Sequence, residues 1–240
     1  MKNKKHFLNF LINILRREIN TLNNKIGKSV EYTNKNKGTG NNIYINPVTK
    51  YDQLIESKIL KLIDKYFPDH QISGEEFGQK FSNSKYKWVI DPIDGTKQYR
   101  DHSGNGYAVM LNLRSPETVH YSLVYIPESG RHGTWVEAVG NRIVCGEDDP
   151  ARPAEEVLKT LTPITSATRP DSQKIYLIGF QDDDPVKAEM VTDAGLEGHT
   201  SETMPGSIYE LLAAGDYGGS LIHSPNIYDF PVSLHIARIL

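Results

Sequence analysis

Four acidic residues, Glu75, Asp91, Asp94 and Asp229, each fall at a strand end or a helix start. Two of them belong to one run, Trp88-Val89-Ile90-Asp91-Pro92-Ile93-Asp94-Gly95-Thr96-Lys97-Gln98-Tyr99. Trp88 to Ile90 reads as a buried strand that stops at Asp91-Pro92, because proline removes a backbone donor and fixes φ. Gly95 allows a tight turn and Thr96 is placed to open a helix, so free N–H groups face where the carboxylates face. Carboxylate oxygens are the ligands that hard Mg²⁺ prefers, and helix-start amides suit the anion such an ion brings with it. That combination suits a metal ion holding a phosphate. An Asp-Pro turn with an Asx bond and a capping Thr accounts for the same residues without any chemistry. The other two acids bear on the choice: each by itself fits a cap, and the four together fit a metal cage, so the residues alone leave both readings open.

The elements that must place these residues follow from hydrophobic periodicity. Residues 4–22 carry Phe7, Leu8, Leu11, Ile14, Leu15 and Ile19 at helical spacing, and 23–46 read as a loop or hairpin ending in Ile43-Tyr44-Ile45. After Pro47-Val48-Thr49 a helix carries the stripe Ile55, Ile59, Leu62, Ile63 and Tyr66, with Asp52 at or near its start as a capping residue or dipole partner, and Pro68 ends it. Gln71-Ile72-Ser73 is a short strand before the acidic turn Gly74-Glu75-Glu76-Phe77-Gly78. Tyr107–Leu113, Tyr121–Tyr125, Thr134–Val139 and Arg142–Cys145 read as strands of a predominantly antiparallel sheet. Residues 153–161 are helical and Lys174–Phe180 is a strand. Asp182-Asp183-Asp184-Pro185 tempts a metal assignment, but three acids and a first-position proline fit a helix N-terminus. A short helix, Ile208 to Ala214, ends at Gly215; a strand at Ser220–His223 precedes Asn226-Ile227-Tyr228-Asp229, and a last helix carries Val232, Leu234, Ile236 and Ile239.

The 240 residues, 38% hydrophobic and 24% charged, suffice for one large core and exclude disordered and fibrous classes. A net charge of −3 argues against a dominant nucleic-acid surface, although Lys2 to Lys37 is locally basic. That region lacks interleaved aromatics beyond Tyr32 and Tyr44, as an RNA-binding module would need. The single cysteine, Cys145, fits a reducing cytosol. Phe7–Leu15 is interrupted by asparagines and followed by Arg16-Arg17-Glu18, so it makes neither a signal core nor a membrane span. The expected class is one layered α/β unit over 1–240, with 1–46 an N-terminal helix and loop and room for two lobes divided near 145–155.

Gly74-Glu75-Glu76, the run from Trp88 to Thr96, and Asn226-Ile227-Tyr228-Asp229 together resemble the three signature motifs of the inositol monophosphatase superfamily, magnesium-dependent and lithium-sensitive phosphomonoesterases. The third motif departs from the family pattern, with Tyr228 in place of Trp. The resemblance implies the layered αβαβα sugar-phosphatase fold with a largely antiparallel sheet. Carried over by position, it implies that Glu75, Asp91, the Ile93 carbonyl, Asp94 and Asp229 bind two or three Mg²⁺ ions, with Asp91 bridging. It further implies that Thr96, supported by Asp52, orients and helps deprotonate a water, that Gly95 and Thr96 amides hold the substrate phosphate, and that Glu76 lies in the outer shell. It also implies further chain beyond the helix that holds Leu240.

Lys97 and Tyr99 after Gly-Thr, and Asn226-Ile227 before the aromatic-Asp pair, are similar to 3′(2′),5′-bisphosphate nucleotidases. The acid with which inositol enzymes hold a ring hydroxyl would fall near Ile222 or His223, where none stands. The expected substrate is therefore 3′-phosphoadenosine 5′-phosphate, with inositol 1-phosphate as the alternative and an inactive phosphate-binding homologue as the alternative of another class. A haloacid-dehalogenase reading fails, because that family separates its two aspartates by one residue and Asp91 and Asp94 are separated by two. Expected partners are a small phosphorylated substrate, no nucleic-acid polymer and no membrane, with a homodimer allowed and a cytoplasmic location.

Overall fold

The computed structural model describes residues 6, 9–11, 13, 14, 17, 32–37, 44–96, 99, 107–179, 184–200, 207–223, 227, 228 and 230–240. Strands β1 (Tyr32–Lys37) and β2 (Tyr44–Thr49) form an antiparallel hairpin that runs straight into helix α1 (Lys50–Tyr66). Thr49 ends the hairpin and caps the helix: its Oγ1 accepts the Tyr51 N–H at 3.2 Å, while its own N–H donates to Asp52 Oδ2 at 2.8 Å. This reciprocal pair is a capping box, worth roughly 1 kcal/mol. Of the two expected roles for Asp52, the structure gives the first-turn acid, at the third helical position where it closes the box, and Thr49 is the N-cap itself.

An eight-stranded sheet forms the body of the protein, in the order β10-β9-β8-β7-β6-β5-β3-β4. Its strands are β3 (Gln71–Gly74), β4 (Gly78–Lys80), β5 (Lys87–Asp94), β6 (Ala108–Arg114), β7 (Val119–Ile126), β8 (Thr134–Val139), β9 (Arg142–Glu147) and β10 (Pro163–Ile164). Every neighbouring pair is antiparallel except β3 and β5, which run parallel with Ser73 opposite Val89 and Gly74 opposite Ile90. A second sheet, β12 (Glu197–His199), β11 (Lys174–Gly179) and β13 (Gly219–His223), is wholly parallel. Helices α2 (Ala154–Thr160), α3 (Asp184–Asp193), α4 (Ile208–Ala214) and α5 (Phe230–Ile239) complete the chain.

The layers follow from which faces are apolar. Ile55, Ile59 and Ile63 of α1, with Leu158 of α2 and Leu11, cover the face of the large sheet that carries Trp88, Ile90 and Leu111. Tyr209 and Leu212 of α4 and Val232 and Ile236 of α5 cover the opposite face, against Ala108, Met110, Val124 and Val136. Alternation along β5 and β6 explains why one sheet feeds two cores, since successive side chains point to opposite faces. Helix α5 also touches β13, and α3 packs on β11 and β12, so helix and sheet layers alternate as expected of the αβαβα arrangement. Gly215 ends α4 in the left-handed conformation at φ 86°, which a Cβ would disfavour. Among the described residues, no helix is long and apolar enough to cross a membrane.

Candidate active site

The parallel pairing of β3 and β5 brings the acidic motifs together. Because the two strands run the same way and stay in register to Gly74 opposite Ile90, Glu75-Glu76 leave β3 beside the point where Asp91 ends the regular part of β5. Pro92 has no N–H to give to β6, and the β5–β6 ladder slips there: Asp91 stands opposite Met110 and Asp94 opposite Ala108. Three steps on one strand against two on the other make a bulge, which re-aims the side chains and frees the Ile93 carbonyl from the ladder. Asp91 stabilises the bend through its Oδ1, which accepts the Ile93 N–H at 3.1 Å. Gly95 follows at φ 82°, and the Tyr99 N–H donates to the Gly95 carbonyl at 3.0 Å, closing the first helical turn after Thr96.

Thr96 is the junction between this turn and α1. Its hydroxyl lies 2.8 Å from the Ile93 carbonyl and 3.1 Å from Asp52 Oδ1, and it has one proton for two acceptors. The other Asp52 oxygen accepts from the Thr49 hydroxyl at 2.6 Å and the Thr49 N–H at 2.8 Å, so the carboxylate is held at both ends. Burial pushes the Asp52 carboxyl up to about 6, against the Thr49 and Thr96 bonds that lower it and with the charge of Glu76 adding to the rise. Asp94 is likewise pushed up to about 6 by burial; the hydroxyl of Tyr209, which donates to its Oδ2 at 3.1 Å, opposes the rise, and the Glu75 charge adds to it.

Two pairs of acids thus lie within electrostatic reach, Asp52 with Glu76 and Asp94 with Glu75. Asp91 is buried close by in the strand end. The arrangement is an all-oxygen donor set with more negative charge than its surroundings favour, and a divalent cation relieves that condition. In chemistry, the residues present fit a hard cation. No three carboxylates, histidines or cysteines converge tightly among the described residues; the candidate set includes a backbone carbonyl, and Asp229 lies outside the described residues, as do Lys97 and Asn226.

One residue that the sequence reading missed stands at the centre. Glu56, fully buried, accepts the Glu76 N–H at 2.8 Å and the Phe77 N–H at 2.9 Å, one bond to each carboxylate oxygen. Its signal was present: Asp52 and Glu56, four residues apart, share the buried face of α1 with Ile55 and Ile59, where a carboxylate needs a reason. Tyr99, read as a substrate pointer, is buried at 2% exposure with its ring edge-on to Tyr51 and Tyr107, so its aromatic character serves the core.

Other nucleophiles are badly placed. Burial pushes the Cys145 thiol up to about 12, with the charge of Glu210 adding to the rise, which keeps it protonated and inert. Ser122 donates to His235 Nδ1 at 3.0 Å, but both are buried and His235 Nε2 is spent on the Gly140 carbonyl at 3.2 Å. That pair anchors α5 to the sheet.

A profile of the inositol monophosphatase family matches residues 3–229. The chain belongs to the inositol monophosphatase family. It is 42% identical over 83 residues to a fructose-1,6-bisphosphatase/inositol-1-monophosphatase of Aquifex aeolicus, a match covering 33% of this chain and 30% of that protein. It is 30% identical over 139 residues to Nus factor SuhB of Haemophilus influenzae, covering 57% of this chain and 51% of the relative. The matched stretches thus span about half or less of these curated family members. Among solved structures, an IMPase/NADP phosphatase complexed with Mg²⁺ and phosphate shares the fold with a TM-score of 0.64 at 17% identity, covering 95% of this chain and 79% of that one.

Proposed function

We propose that this family member is a Mg²⁺-dependent phosphomonoesterase that cleaves a small phosphate ester with an activated water. The observation that carries the reading is the Thr96 hydroxyl poised between Asp52 Oδ1 at 3.1 Å and the Ile93 carbonyl at 2.8 Å, beside the acid cluster. A water that attacks phosphorus must lose a proton. Thr96 Oγ1 accepts that proton as its own passes to Asp52 Oδ1, and an Asp52 carboxyl raised to about 6 by burial retains it well enough for the step while staying ionised at neutral pH. Thr49, through its hydroxyl and N–H on Oδ2, keeps Asp52 turned toward Thr96. Magnesium held by Glu75, Asp91, the Ile93 carbonyl, Asp94 and Asp229 would neutralise the phosphate dianion, acidify the water and stabilise the leaving oxygen. The Gly95 N–H bonds the Asp94 carboxylate in this structure, so it would hold a substrate phosphate beside the Thr96 N–H only once Asp94 turns to a metal ion, and Glu76 would add negative charge from the outer shell.

Thr96→Ala tests this division of roles: kcat should fall about 10²–10³-fold while KM for the ester changes by less than about 3-fold, because water orientation is lost and ground-state binding is not. A rise in KM at unchanged kcat would move Thr96 from the reaction to substrate binding.

For the substrate, Lys97 and Asn226-Ile227 support the 3′-phosphate of 3′-phosphoadenosine 5′-phosphate, and the absence of a carboxylate at Ile222 or His223 points the same way. Inositol 1-phosphate is the second reading, favoured by the 42% identity to the Aquifex aeolicus protein. Comparing kcat/KM for the two esters at saturating Mg²⁺ decides between them. The nucleotide should be preferred by at least about 10-fold, since an unpaired ring hydroxyl in the site costs inositol phosphate about 1–3 kcal/mol.

A further inference from the structure

We infer that Glu56 is a positioning residue for Glu75: its carboxylate holds the turn that presents Glu75 to the metal site. This rests on the metal-dependent reading above and goes beyond the motif residues. Three observations bear on it. The two oxygens of Glu56 take the N–H groups of Glu76 and Phe77, at 2.8 and 2.9 Å, so the backbone immediately after Glu75 is tied to α1. The backbone immediately before Glu75 is tied as well, because Gly74 pairs in register with Ile90 of β5. A Cβ on Gly74 would lie 1.9 Å from Glu56 Oε1, so the residue before Glu75 has no side chain where the carboxylate needs space.

The rest of the turn offers little restraint. Beyond it lies only β4, a three-residue strand at the edge of the sheet, with Gly78 and Gln79 exposed. The Glu76 and Phe77 N–H groups lie outside the β3–β4 ladder, and their two bonds to the fully buried Glu56 carboxyl group restrain the loop. A buried carboxylate is an expensive way to satisfy two amides unless its geometry matters. Helix α1 thereby sets both halves of the site: Asp52 reaches Thr96, and one helical turn later Glu56 reaches the Glu75 turn.

The test uses Glu56→Gln, Glu56→Asp and Gly74→Ala in the full chain. Glu56→Gln keeps the length and loses one acceptor; Glu56→Asp keeps the charge and loses the reach. Gly74→Ala displaces the carboxylate without removing it, and serves should the Glu56 variants fail to fold. Mg²⁺ affinity is measured by calorimetry without substrate, and exchange of the Glu76 and Phe77 amides by NMR. All three variants should bind Mg²⁺ about 10–100-fold more weakly, as for the loss of an outer partner of a metal ligand, with faster exchange at both amides. Phosphate release at saturating Mg²⁺ should recover to within about 3-fold of wild type. Wild-type affinity in Glu56→Asp would reduce Glu56 to a charge, and lower melting temperatures with unchanged affinity in all three would reduce it to a structural part; either overturns the inference. A wild-type chain that binds no Mg²⁺ instead overturns the metal-dependent reading itself.

Discussion

Asp94→Asn should lower Mg²⁺-supported phosphate release by at least about 10³-fold while leaving the fold intact, because a candidate ligand loses its charge and little else changes. The amide is the same size as the carboxylate. Its oxygen can still accept the Tyr209 hydroxyl, which donates to Asp94 Oδ2 at 3.1 Å in the native chain. Burial and the Glu75 charge both work against an ionised Asp94, so removing that charge relieves a strain that the metal-free protein carries. The melting temperature without Mg²⁺ should therefore hold or rise, and the increase in melting temperature on adding Mg²⁺ should shrink. Circular dichroism with and without Mg²⁺, alongside a phosphate-release assay, checks all three. Retention of most activity would remove Asp94 from the site.

Asp52→Asn separates activity from stability in one substitution. An asparagine oriented with its oxygen toward Thr49 still accepts the Thr49 N–H and hydroxyl, and its Nδ2 can donate to Thr96 Oγ1, whose proton then goes to the Ile93 carbonyl. Every hydrogen bond has a replacement, but the proton acceptor is gone, and kcat should fall about 10²–10⁴-fold. Stability should move the other way. The folded carboxyl is raised from the ordinary 3.8 to about 6, so between those values the folded state binds more protons than the unfolded state and stability falls as pH rises. That loss is complete above about pH 6 and corresponds to an upper bound of about 3 kcal/mol. Offset by the weaker bonds of a neutral acceptor, the variant should be about 1–2 kcal/mol more stable than wild type at pH 8 and no more stable at pH 3. Urea unfolding at the two pH values measures it; equal or lower stability at pH 8 would mean that Asp52 is not the strained charge its burial implies.

The motif residues were legible because their chemistry is local. The turn at Gly95 and the helix start at Thr96 were read from their own residues, but the strand expected to stop at Asp91-Pro92 runs on to Asp94, because the chain absorbs the missing proline donor in a bulge instead of leaving the sheet. Gly215 and Pro68 marked helix ends for the same reason. Glu56 was illegible as a partner of Glu75 because its acceptors meet backbone N–H groups twenty and twenty-one positions away, and amides carry no sequence signal. Only its place in the apolar stripe of α1 hinted at a role. The parallel β3–β5 pairing, which aligns two acidic motifs, also had no local mark, since period-two alternation is the same in either strand direction. The three-stranded parallel sheet was seen only in part, because β12 has three residues and too little pattern to read. Tyr99, part of the run that resembles bisphosphate nucleotidases, packs edge-on against Tyr51 and Tyr107, a core role that the sequence reading did not assign to it.

The central claim is that this acid cluster exists to let a metal ion and a Thr96-oriented water cleave a phosphate ester. Phosphate release by the wild-type chain from 3′-phosphoadenosine 5′-phosphate and inositol 1-phosphate, followed across a Mg²⁺ titration, tests it most directly. The account predicts release that is absent with chelator, rises to saturation with Mg²⁺ and is lost in Asp94→Asn. Mg²⁺ binding with no release from either ester would contradict it and leave a phosphate-binding protein in its place.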